Sequence, residues 1–195
     1  MTKKYSKEWI SREEIKKLFS CPEISSRDIL LMKVCYLGCL RISEALNSKR
    51  EDYRKEDYTY LLLKSQKTDK KNWEPQPIPI ELYGDVNRFC DDNKIKSQDY
   101  IFQSNRSPKL SYNMAYKIIK KNCKLAGITK QITTHSFRRS RATHLLDDGL
   151  PLTKVQGFLR HTNIDTTRVY LKLSKQRLAQ DINEIDKKTI FNMIK

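Results

Sequence analysis

The stretch from Thr134 to Leu173 constrains the fold of this chain more than any other part of the sequence. Its first half predicts a helix over about residues 136–148. Thr134 or Ser136 can cap the start of that helix, and Gly149 stands where a helix stop needs a left-handed residue. The polar and apolar residues between these two signals therefore belong to one element.

A second helix is expected to follow Pro151 and to end near Arg160. The chain then breaks at residues 161–163 and restarts near Asp165. Tyr170 falls one turn into that restart. The stretch is therefore predicted to be two helices, a short break, and a restart that carries Tyr170 at its edge.

The histidines of the first helix are expected to face opposite ways. His135 and Arg138 are three residues apart, so they share one face of the helix. His144 is nine residues beyond His135, a rotation of about 180° at 3.6 residues per turn. We interpret His144 as a structural residue and the other two as candidates for chemistry.

Two imidazoles, an arginine and a tyrosine within 36 residues point to one kind of chemistry. An arginine fork binds phosphate oxygens in a bidentate manner. Histidines donate to phosphate or move protons near neutral pH, and a tyrosine can be the nucleophile of a covalent intermediate. The set predicts phosphoryl transfer without a metal, and its members are His135, Arg138, His161 and Tyr170.

This ordered set resembles the catalytic motifs of the tyrosine recombinases, the phage integrases and Xer-type recombinases. That family carries H-x-x-R, then a His or Trp after a helix, then a Tyr. Here these positions are His135 to Arg138, His161 and Tyr170, and the segments A-T-H-L-L and D-T-T add to the match. Arg160 departs from the family, which commonly has glycine before the histidine; it adds charge and removes no catalytic group.

Arg41 follows a mostly apolar helix predicted over 29–40, just before a new helix cap at Ser43. A charge among apolar residues needs an anionic partner, and the residues alone offer Glu44 or another carboxylate. The resemblance implies a different role. Residues 38–44 read G-C-L-R-I-S-E and are similar to the family's first-arginine motif, so Arg41 would be held in the fold and directed at the scissile phosphate.

A β-hairpin with a basic tip is predicted further along the chain. Residues 57–64 alternate weakly, and the prolines of residues 75–80 suit an edge strand. The resemblance implies that a lysine of the tip enters the minor groove and protonates the leaving 5′ oxygen. Lys67 is assigned this role because Q-K-T resembles the family's K-T; Lys64 is the alternative, since a shift of three residues aligns as well.

The remaining elements complete a mainly helical α+β chain, similar to the catalytic domain of the tyrosine recombinases. We expect residues 1–10 to be a linker-like lead-in and residues 11–195 to be the catalytic domain, without the family's usual N-terminal core-binding domain. The further elements predicted are a helix from a capping box at Ser11 to Phe19, helices over 81–93 and 111–126, a strand-like segment over 99–104, and a C-terminal helix over 175–193.

The charge of the chain predicts a nucleic-acid partner. Lys and Arg number 39 against 23 Asp and Glu, giving a net charge of +16, which is typical of proteins that bind polyanions. No apolar run reaches the roughly 18 residues of a membrane span, and the N-terminus lacks an apolar signal region, so an intracellular protein is expected. The five scattered cysteines have no zinc-site spacing and are interpreted as reduced thiols.

The resemblance implies site-specific recombination or integration of double-stranded DNA. Tyr170 would attack the phosphodiester to form a 3′-phosphotyrosyl link and free a 5′ hydroxyl. Arg41 and Arg138 would clamp the non-bridging oxygens, His161 would donate a hydrogen bond there, and His135 would be the base for the tyrosine proton. Neither a metal nor a nucleotide cofactor is implied.

Several roles stay open at this level. The same chemistry would serve a dimer resolvase or a topoisomerase-like nicking-closing enzyme, and a non-catalytic DNA-binding relative is the rival from another class. The intact catalytic set argues against a pure binder. The C-terminal helix over 175–193 packs either on its own core or on a neighbouring protomer, and the resemblance favours self-association on DNA through this helix.

Overall fold

The computed structural model describes residues 8–64, 73–105 and 107–161. The chain divides into two compact units, residues 1–141 and residues 142–195. The predicted positions Lys67, Arg106 and Tyr170 and the predicted helix over 175–193 lie outside the described residues. The helices are α1 Arg12–Phe19, α2 Ser26–Leu37, α3 Ile42–Asn47, α4 Ile80–Asp92, α5 Tyr112–Leu125, α6 Thr134–Asp147 and α7 Leu152–Leu159.

Local capping signals set the starts of several helices. The hydroxyl of Ser11 accepts from the backbone N–H of Glu14 at 3.2 Å, and the Glu14 carboxylate accepts from the backbone N–H of Ser11 at 2.7 Å. This is the predicted capping box. Ser25 and Ser111 cap α2 and α5 on one side only, through hydroxyls that accept from the backbone N–H groups of Asp28 and Met114.

Helix α2 lies at the centre of the first unit. It packs against α1, α3, α4 and α5, and Leu31, Met32, Val34 and Cys35 on it are fully buried. The near-continuous apolar sequence of α2 predicted this burial, because such a helix has little polar surface to present to water. Each large apolar side chain buried here contributes roughly 1.5–3 kcal/mol. The prediction of an apolar helix in this part of the chain is confirmed.

The end of α2 differs from the prediction. The helix was expected to continue to Leu40, but it ends at Leu37, and Gly38 is its C-cap. Cys39 then adopts a left-handed conformation with φ of 53°, which reverses the chain. As a result α3 begins at Ile42, one residue before the predicted cap at Ser43, and Arg41 occupies the N-cap position.

A three-stranded antiparallel sheet lies beside the helices, in the order β1 (Tyr53–Lys55), β2 (Thr59–Lys64) and β3 (Trp73–Pro77). Strands β2 and β3 are the predicted hairpin, with Lys64 paired to Trp73 at the end nearest its tip. The second strand was predicted over 75–80, but it starts and ends earlier because Ile80 already belongs to α4. Strand β1 was not predicted.

The segment over 99–104 was predicted to be strand-like and is irregular instead. Its two pairings are isolated bridges, Lys49 with Tyr100 and Ser104 with Ser107. Ile101 and Phe102 in it are almost fully buried, and this burial accounts for the apolar pattern that suggested a strand. The expected class, a mainly helical α+β fold with a small antiparallel sheet, is confirmed.

The second unit contains the turn that the sequence predicted after α6. Gly149 adopts φ of 91°, the left-handed helix stop, and Pro151 precedes the first residue of α7. Val155 and Leu159 on α7 are fully buried. Helix α7 ends in a second left-handed residue, Arg160, at φ of 52°.

Two further observations concern the whole described chain. Within residues 8–64, 73–105 and 107–161, no helix combines the length and the apolar composition that a bilayer span requires. The five cysteines are free thiols and all of them are buried, at positions 21, 35, 39, 90 and 123. Burial raises the pKa of Cys35 and of Cys123 to about 12, so both thiols stay protonated at neutral pH.

Candidate active site

The predicted catalytic residues are divided between the two units and the undescribed segments. Arg41, His135 and Arg138 belong to the first unit, and His161 belongs to the second. Lys67 and Tyr170 lie outside the described residues. The geometry of the site therefore begins with two arginines and a histidine that come from different parts of the sequence.

Arg138 is buried on α6 and is bonded to the turn after α2. Arg138 is only 4 % exposed, and its Nη1 donates to the backbone oxygen of Cys39 at 2.6 Å. In return the thiol of Cys39 donates to the backbone oxygen of Arg138, with 3.6 Å between Sγ and oxygen. The carbonyl is neutral, so this bond orients the guanidinium without cancelling its charge.

Arg41 stands two residues after Cys39, at the N-cap of α3. The Glu44 carboxylate accepts from the backbone N–H of Arg41 at 2.7 Å and from its Nη1 at 2.8 Å. Glu44 is thus the partner that the residues alone suggested. The Arg41 side chain nevertheless keeps 37 % of its surface exposed, so it is only partly enclosed by the fold and remains accessible to an anion.

His135 lies on the first turn of α6, and its side chain is exposed. Its pKa is lowered below the usual 6.5, first by partial desolvation and then by the positive charges of Arg138, Arg41 and Arg139. The imidazole is therefore neutral at pH 7 and has a free lone pair for a proton. The two arginines also lie close enough to His135 for their charges to act on it.

His144 is 1 % exposed on the same helix. Its burial agrees with the structural role that its position relative to His135 predicts. Deep burial also makes it unsuitable as a surface contact for a large polyanion such as DNA.

In the second unit, Gln156 fixes the backbone at His161 from both sides. The backbone N–H of His161 donates to the Gln156 carbonyl at 3.2 Å, and Gln156 Nε2 donates to the His161 carbonyl at 3.1 Å. The left-handed Arg160 turns the chain between them. The position of His161 at the end of α7 is therefore set by a helix-terminating turn rather than by a flexible loop.

A depression of about 560 Å³ opens beside the ion pair of Arg41 and Glu44. Glu44 lines one part of it, and Lys64 and Trp73, at the end of the hairpin nearest its tip, line another. Lys64, the alternative to Lys67, is exposed at the last position of β2. The depression thus lies between the tip-side end of the hairpin and Glu44, the carboxylate that pairs with Arg41.

Two lysines lie over a single aromatic ring at the edge of this depression. Lys49 and Lys109 are 5.8 Å and 5.4 Å from the ring centre of Tyr100, and Lys109 also donates to the Asn47 side chain at 2.6 Å. Cation–π contacts with the ring stabilise the positions of both ammonium groups. Part of the positive charge of the chain therefore lies at this surface.

The predicted lead-in is bonded to the helix that carries His135 and Arg138. The backbone N–H of Ile10 donates to the Ser140 hydroxyl at 2.7 Å, and this hydroxyl donates to the Ser136 carbonyl at 2.7 Å. Lys130, just before α6, lies over the ring of Trp9 and pairs with Glu14 at 2.7 Å. Residues 8–10, predicted to be linker-like, thus contact α6 and the segment before it.

Sequence reasoning missed three residues that shape this site: Cys39, Gln156 and Ser140. Each acts through backbone hydrogen bonds, which residue type alone does not reveal. Gly38 next to Cys39 marked a turn, but nothing marked Cys39 as its left-handed residue. Within the described ranges, no group of three or more His, Cys, Asp or Glu side chains is placed to hold a metal ion.

Comparison with known proteins gives a consistent result. The family model for the phage integrase family matches residues 8–177. The chain is 32 % identical over 178 residues to tyrosine recombinase XerA of Pyrococcus horikoshii, covering 90 % of this chain and 60 % of that protein. It is 30 % identical over 174 residues to XerA of Thermococcus kodakarensis, covering 88 % of this chain and 60 % of the relative.

Solved structures agree in fold. The crystal structure of XerA recombinase superposes with a TM-score of 0.78 at 24 % identity, covering 92 % of this chain and 65 % of that one. XerH site-specific recombinase in a post-cleavage complex with its palindromic difH substrate gives a TM-score of 0.75 at 23 % identity, covering 89 % and 52 %. The chain thus spans about 60 % of the length of the curated relatives that it matches.

Proposed function

The chain belongs to the phage integrase family of tyrosine recombinases, and from that membership we propose that it cuts and rejoins double-stranded DNA at specific sites through a 3′-phosphotyrosyl intermediate. Tyr170 is the nucleophile in this proposal. Its oxygen bonds to the scissile phosphorus, the bond from phosphorus to the 5′ oxygen breaks, and a free 5′ hydroxyl is left. The covalent link keeps the energy of the phosphodiester, so rejoining needs no nucleotide.

Arg41 and Arg138 bind the non-bridging oxygens, where negative charge grows in the transition state. His161 donates a hydrogen bond to the same phosphate. Lys67, with Lys64 as the alternative, supplies the proton that the leaving 5′ oxygen takes up. A preorganised pair of guanidinium groups serves this reaction well, because the donors need not reorganise as charge develops.

The observation that carries the proposal is the environment of His135. A tyrosine hydroxyl has an ordinary pKa of roughly 10 and needs a base to lose its proton at neutral pH. His135 is exposed, and its pKa is lowered by desolvation and by Arg138 and Arg41, so it is in the neutral form that accepts a proton. Desolvation, with the charges of the two neighbouring arginines, thereby favours the neutral form of this base.

Double-stranded DNA is the proposed substrate. The net charge of +16 supports a partner with many phosphates, and the ordered Lys49 and Lys109 offer contacts beside the site. Binding that rests on such contacts weakens steeply as salt rises, because condensed counterions are released. We further propose that copies associate on DNA through the segment over 175–193.

Formation of a covalent adduct tests this function. Nicked duplexes with randomised cores, in which the cleaved fragment diffuses away, are incubated with wild type or Tyr170→Phe. A protein–DNA adduct that survives SDS in wild type alone is expected. DNA binding by both proteins without any adduct would instead favour a non-catalytic DNA-binding relative, and sequencing of trapped DNA would identify the site.

The role within the family is then separated by the products. Exchange of strands between two duplexes supports recombination or dimer resolution, whereas relaxation of a single supercoiled circle without exchange supports a topoisomerase-like enzyme. We propose recombination, because the named relatives are tyrosine recombinases over most of this chain.

A further inference from the structure

We propose that Cys39 is a positioning residue: its left-handed backbone conformation sets the placement of Arg138 relative to Arg41. The catalytic consequence rests on the proposed function, but the structural part does not. Cys39 touches neither DNA nor the reacting atoms in this proposal. It acts through the two arginines, one of which it bonds and the other of which follows it in the chain.

The backbone of Cys39 has an uncommon conformation. Cys39 has φ of 53°, a region that residues with a Cβ adopt rarely, because Cβ approaches the following carbonyl oxygen. The chain accepts this conformation at a fully buried residue, in the middle of the contacts around α2. Strained backbone of this kind persists only where surrounding contacts determine it, and such positions cluster at functional sites.

This conformation sets the direction of the Cys39 carbonyl. Had α2 continued through Cys39, its carbonyl would be directed along the helix axis toward the backbone N–H four residues on. The left-handed conformation ends the helix instead, and the carbonyl accepts from Nη1 of Arg138 at 2.6 Å. The bond to the guanidinium therefore depends on φ at residue 39.

A return contact joins the same two residues. The Cys39 thiol donates to the backbone oxygen of Arg138, so both ends of Arg138 are held by the same residue. The Cys39 side chain bonds to α6, and the Arg138 guanidinium bonds back to the turn that contains Cys39. These two bonds restrict the movement of α6 relative to residue 39. A serine hydroxyl can replace the thiol as a hydrogen-bond donor. Valine has no donor, and its β-branched side chain disfavours the left-handed backbone conformation.

The turn is also connected to Arg41. Only the fully buried Leu40 separates Cys39 from Arg41, and Arg41 is fixed in turn by the two bonds from Glu44. A change of φ at Cys39 would therefore shift the carbonyl that holds Arg138 and the backbone that carries Arg41. A displacement of about 1 Å in a catalytic group can lower a rate by about 100-fold.

The test compares Cys39→Gly, Cys39→Ser, Cys39→Ala and Cys39→Val in the full chain. Glycine keeps the conformation and the carbonyl, and serine keeps a donor, so adduct formation by these two is expected within about threefold of wild type. Valine disfavours the conformation, and at saturating protein its adduct rate is expected to fall at least about tenfold. Where Cys39→Val fails to fold, Cys39→Ala replaces it, with a smaller loss expected.

Lys94→Val is the matched control. Lys94 also has a positive φ, of 55°, but it is exposed after α4 and bonds no arginine. It carries the same backbone penalty, and its adduct rate is expected to stay at the wild-type value. Equal losses in Cys39→Val and Lys94→Val, or a loss in Cys39→Gly as large as in Cys39→Val, would overturn the proposal.

A double-mutant cycle with Arg138→Ala separates positioning from general destabilisation. If Cys39 acts in part through Arg138, the loss caused by Cys39→Val should be clearly smaller in the Arg138→Ala background than in wild type, and the remaining loss reports its effect on Arg41. Fully additive losses would show that Cys39 does not act through Arg138. DNA affinity, measured in the same samples, is expected to be the same in wild type and Cys39→Val.

A spectroscopic measurement keeps the test independent of catalysis. In ¹⁵N spectra of the arginine side chains, the Nη groups of Arg138 are expected to be resolved in wild type and Cys39→Gly and averaged in Cys39→Val. If wild type forms no adduct, the proposed function fails while this measurement still decides the positioning role. Unchanged Arg138 signals in Cys39→Val would refute that role even in an active enzyme.

Discussion

Arg138 and Cys39 are bonded to each other in both directions although 99 residues separate them in the sequence. The guanidinium donates to the backbone oxygen of Cys39 at 2.6 Å, and the Cys39 thiol donates to the backbone oxygen of Arg138. This exchange connects the turn after α2 to the first half of α6. It holds Arg138, one candidate phosphate-binding residue, against a turn that lies two residues before Arg41, the other candidate.

Replacing Arg138 by lysine should slow adduct formation strongly while the protein still folds. A lysine keeps the charge but lacks the planar fork that binds two phosphate oxygens, so we expect a loss of about 100-fold to 1,000-fold in the adduct rate. The exposed Arg88 provides the control, since Arg88→Lys should leave the rate unchanged. An Arg138→Lys variant as active as wild type would remove Arg138 from the catalytic set.

Replacing Arg138 by alanine has a further consequence for stability. The buried Cys39 carbonyl loses its partner, and such a loss costs about 1–3 kcal/mol. Urea denaturation measures it as a lower midpoint at an unchanged slope. A free energy of unfolding equal to that of wild type would show that the carbonyl finds another donor.

His135 should titrate below pH 6.5 in the folded protein. Desolvation and the charges of Arg138 and Arg41 disfavour the imidazolium, which lowers the pKa of His135. NMR titration of the imidazole Cε1 protons, assigned with His135→Gln, measures this directly. Arg41→Ala should move the pKa of His135 upward, whereas Arg88→Gln should not. A pKa of His135 at or above 6.5 would contradict the arrangement.

The lowered pKa of His135 also determines how the stability of the protein changes with pH. The folded protein lowers the pKa of His135 below its unfolded value, so the unfolded state binds more protons at mildly acidic pH. The contribution of His135 is fully present above about pH 6.5 and is lost as the pH falls through the lowered pKa. His135→Gln should therefore flatten the stability profile in that window.

Gly38→Ala and Gly84→Ala should change stability in opposite directions. A Cβ at Gly38 would lie 2.9 Å from the Val34 carbonyl oxygen, whereas a Cβ at Gly84 meets nothing within 4 Å. We expect Gly38→Ala to cost about 1–3 kcal/mol by overpacking and Gly84→Ala, inside α4, to gain about 0.5–1 kcal/mol. Thermal or urea unfolding distinguishes them, and equal effects would contradict the geometry.

Glycine at either left-handed helix end should stabilise the protein. Arg160 has φ of 52° and Lys94 has φ of 55°, and the left-handed region costs a residue with Cβ about 1–2 kcal/mol. Lys94→Gly and Arg160→Gly should therefore each raise the free energy of unfolding, by about 1 kcal/mol. A drop in Arg160→Gly alone would mean that the arginine side chain stabilises the end of α7 by more than its backbone costs.

The parts of the fold that depend on local signals could be predicted from the sequence. The capping box at Ser11, the apolar pattern of α2 and the left-handed stop at Gly149 all lie within one or two turns of the element they control. Strand β1 could not be predicted in this way. It has three residues, and only its pairing with β2 makes it a strand.

The candidate site divides along the same line. Arg41, His135 and His161 were identified from residue type, order and spacing, and their catalytic roles stay predictions. The turn at Cys39 was missed because cysteine rarely adopts a positive φ, and the contact of its carbonyl with Arg138 comes from a part of the chain that is remote in sequence. The pairing of Arg41 with Glu44 was foreseen as an alternative because the two are three residues apart.

The bond between the Ile10 amide and the Ser140 hydroxyl has a mechanical consequence. Ser140 follows Arg138 by two residues on α6, and its hydroxyl is also anchored to the Ser136 carbonyl. A pull on the chain at Ile10 is therefore transmitted to α6 two residues from Arg138. Residues 8–11 act as a tether in series with α6, so tension at this end of the chain loads the helix that carries Arg138.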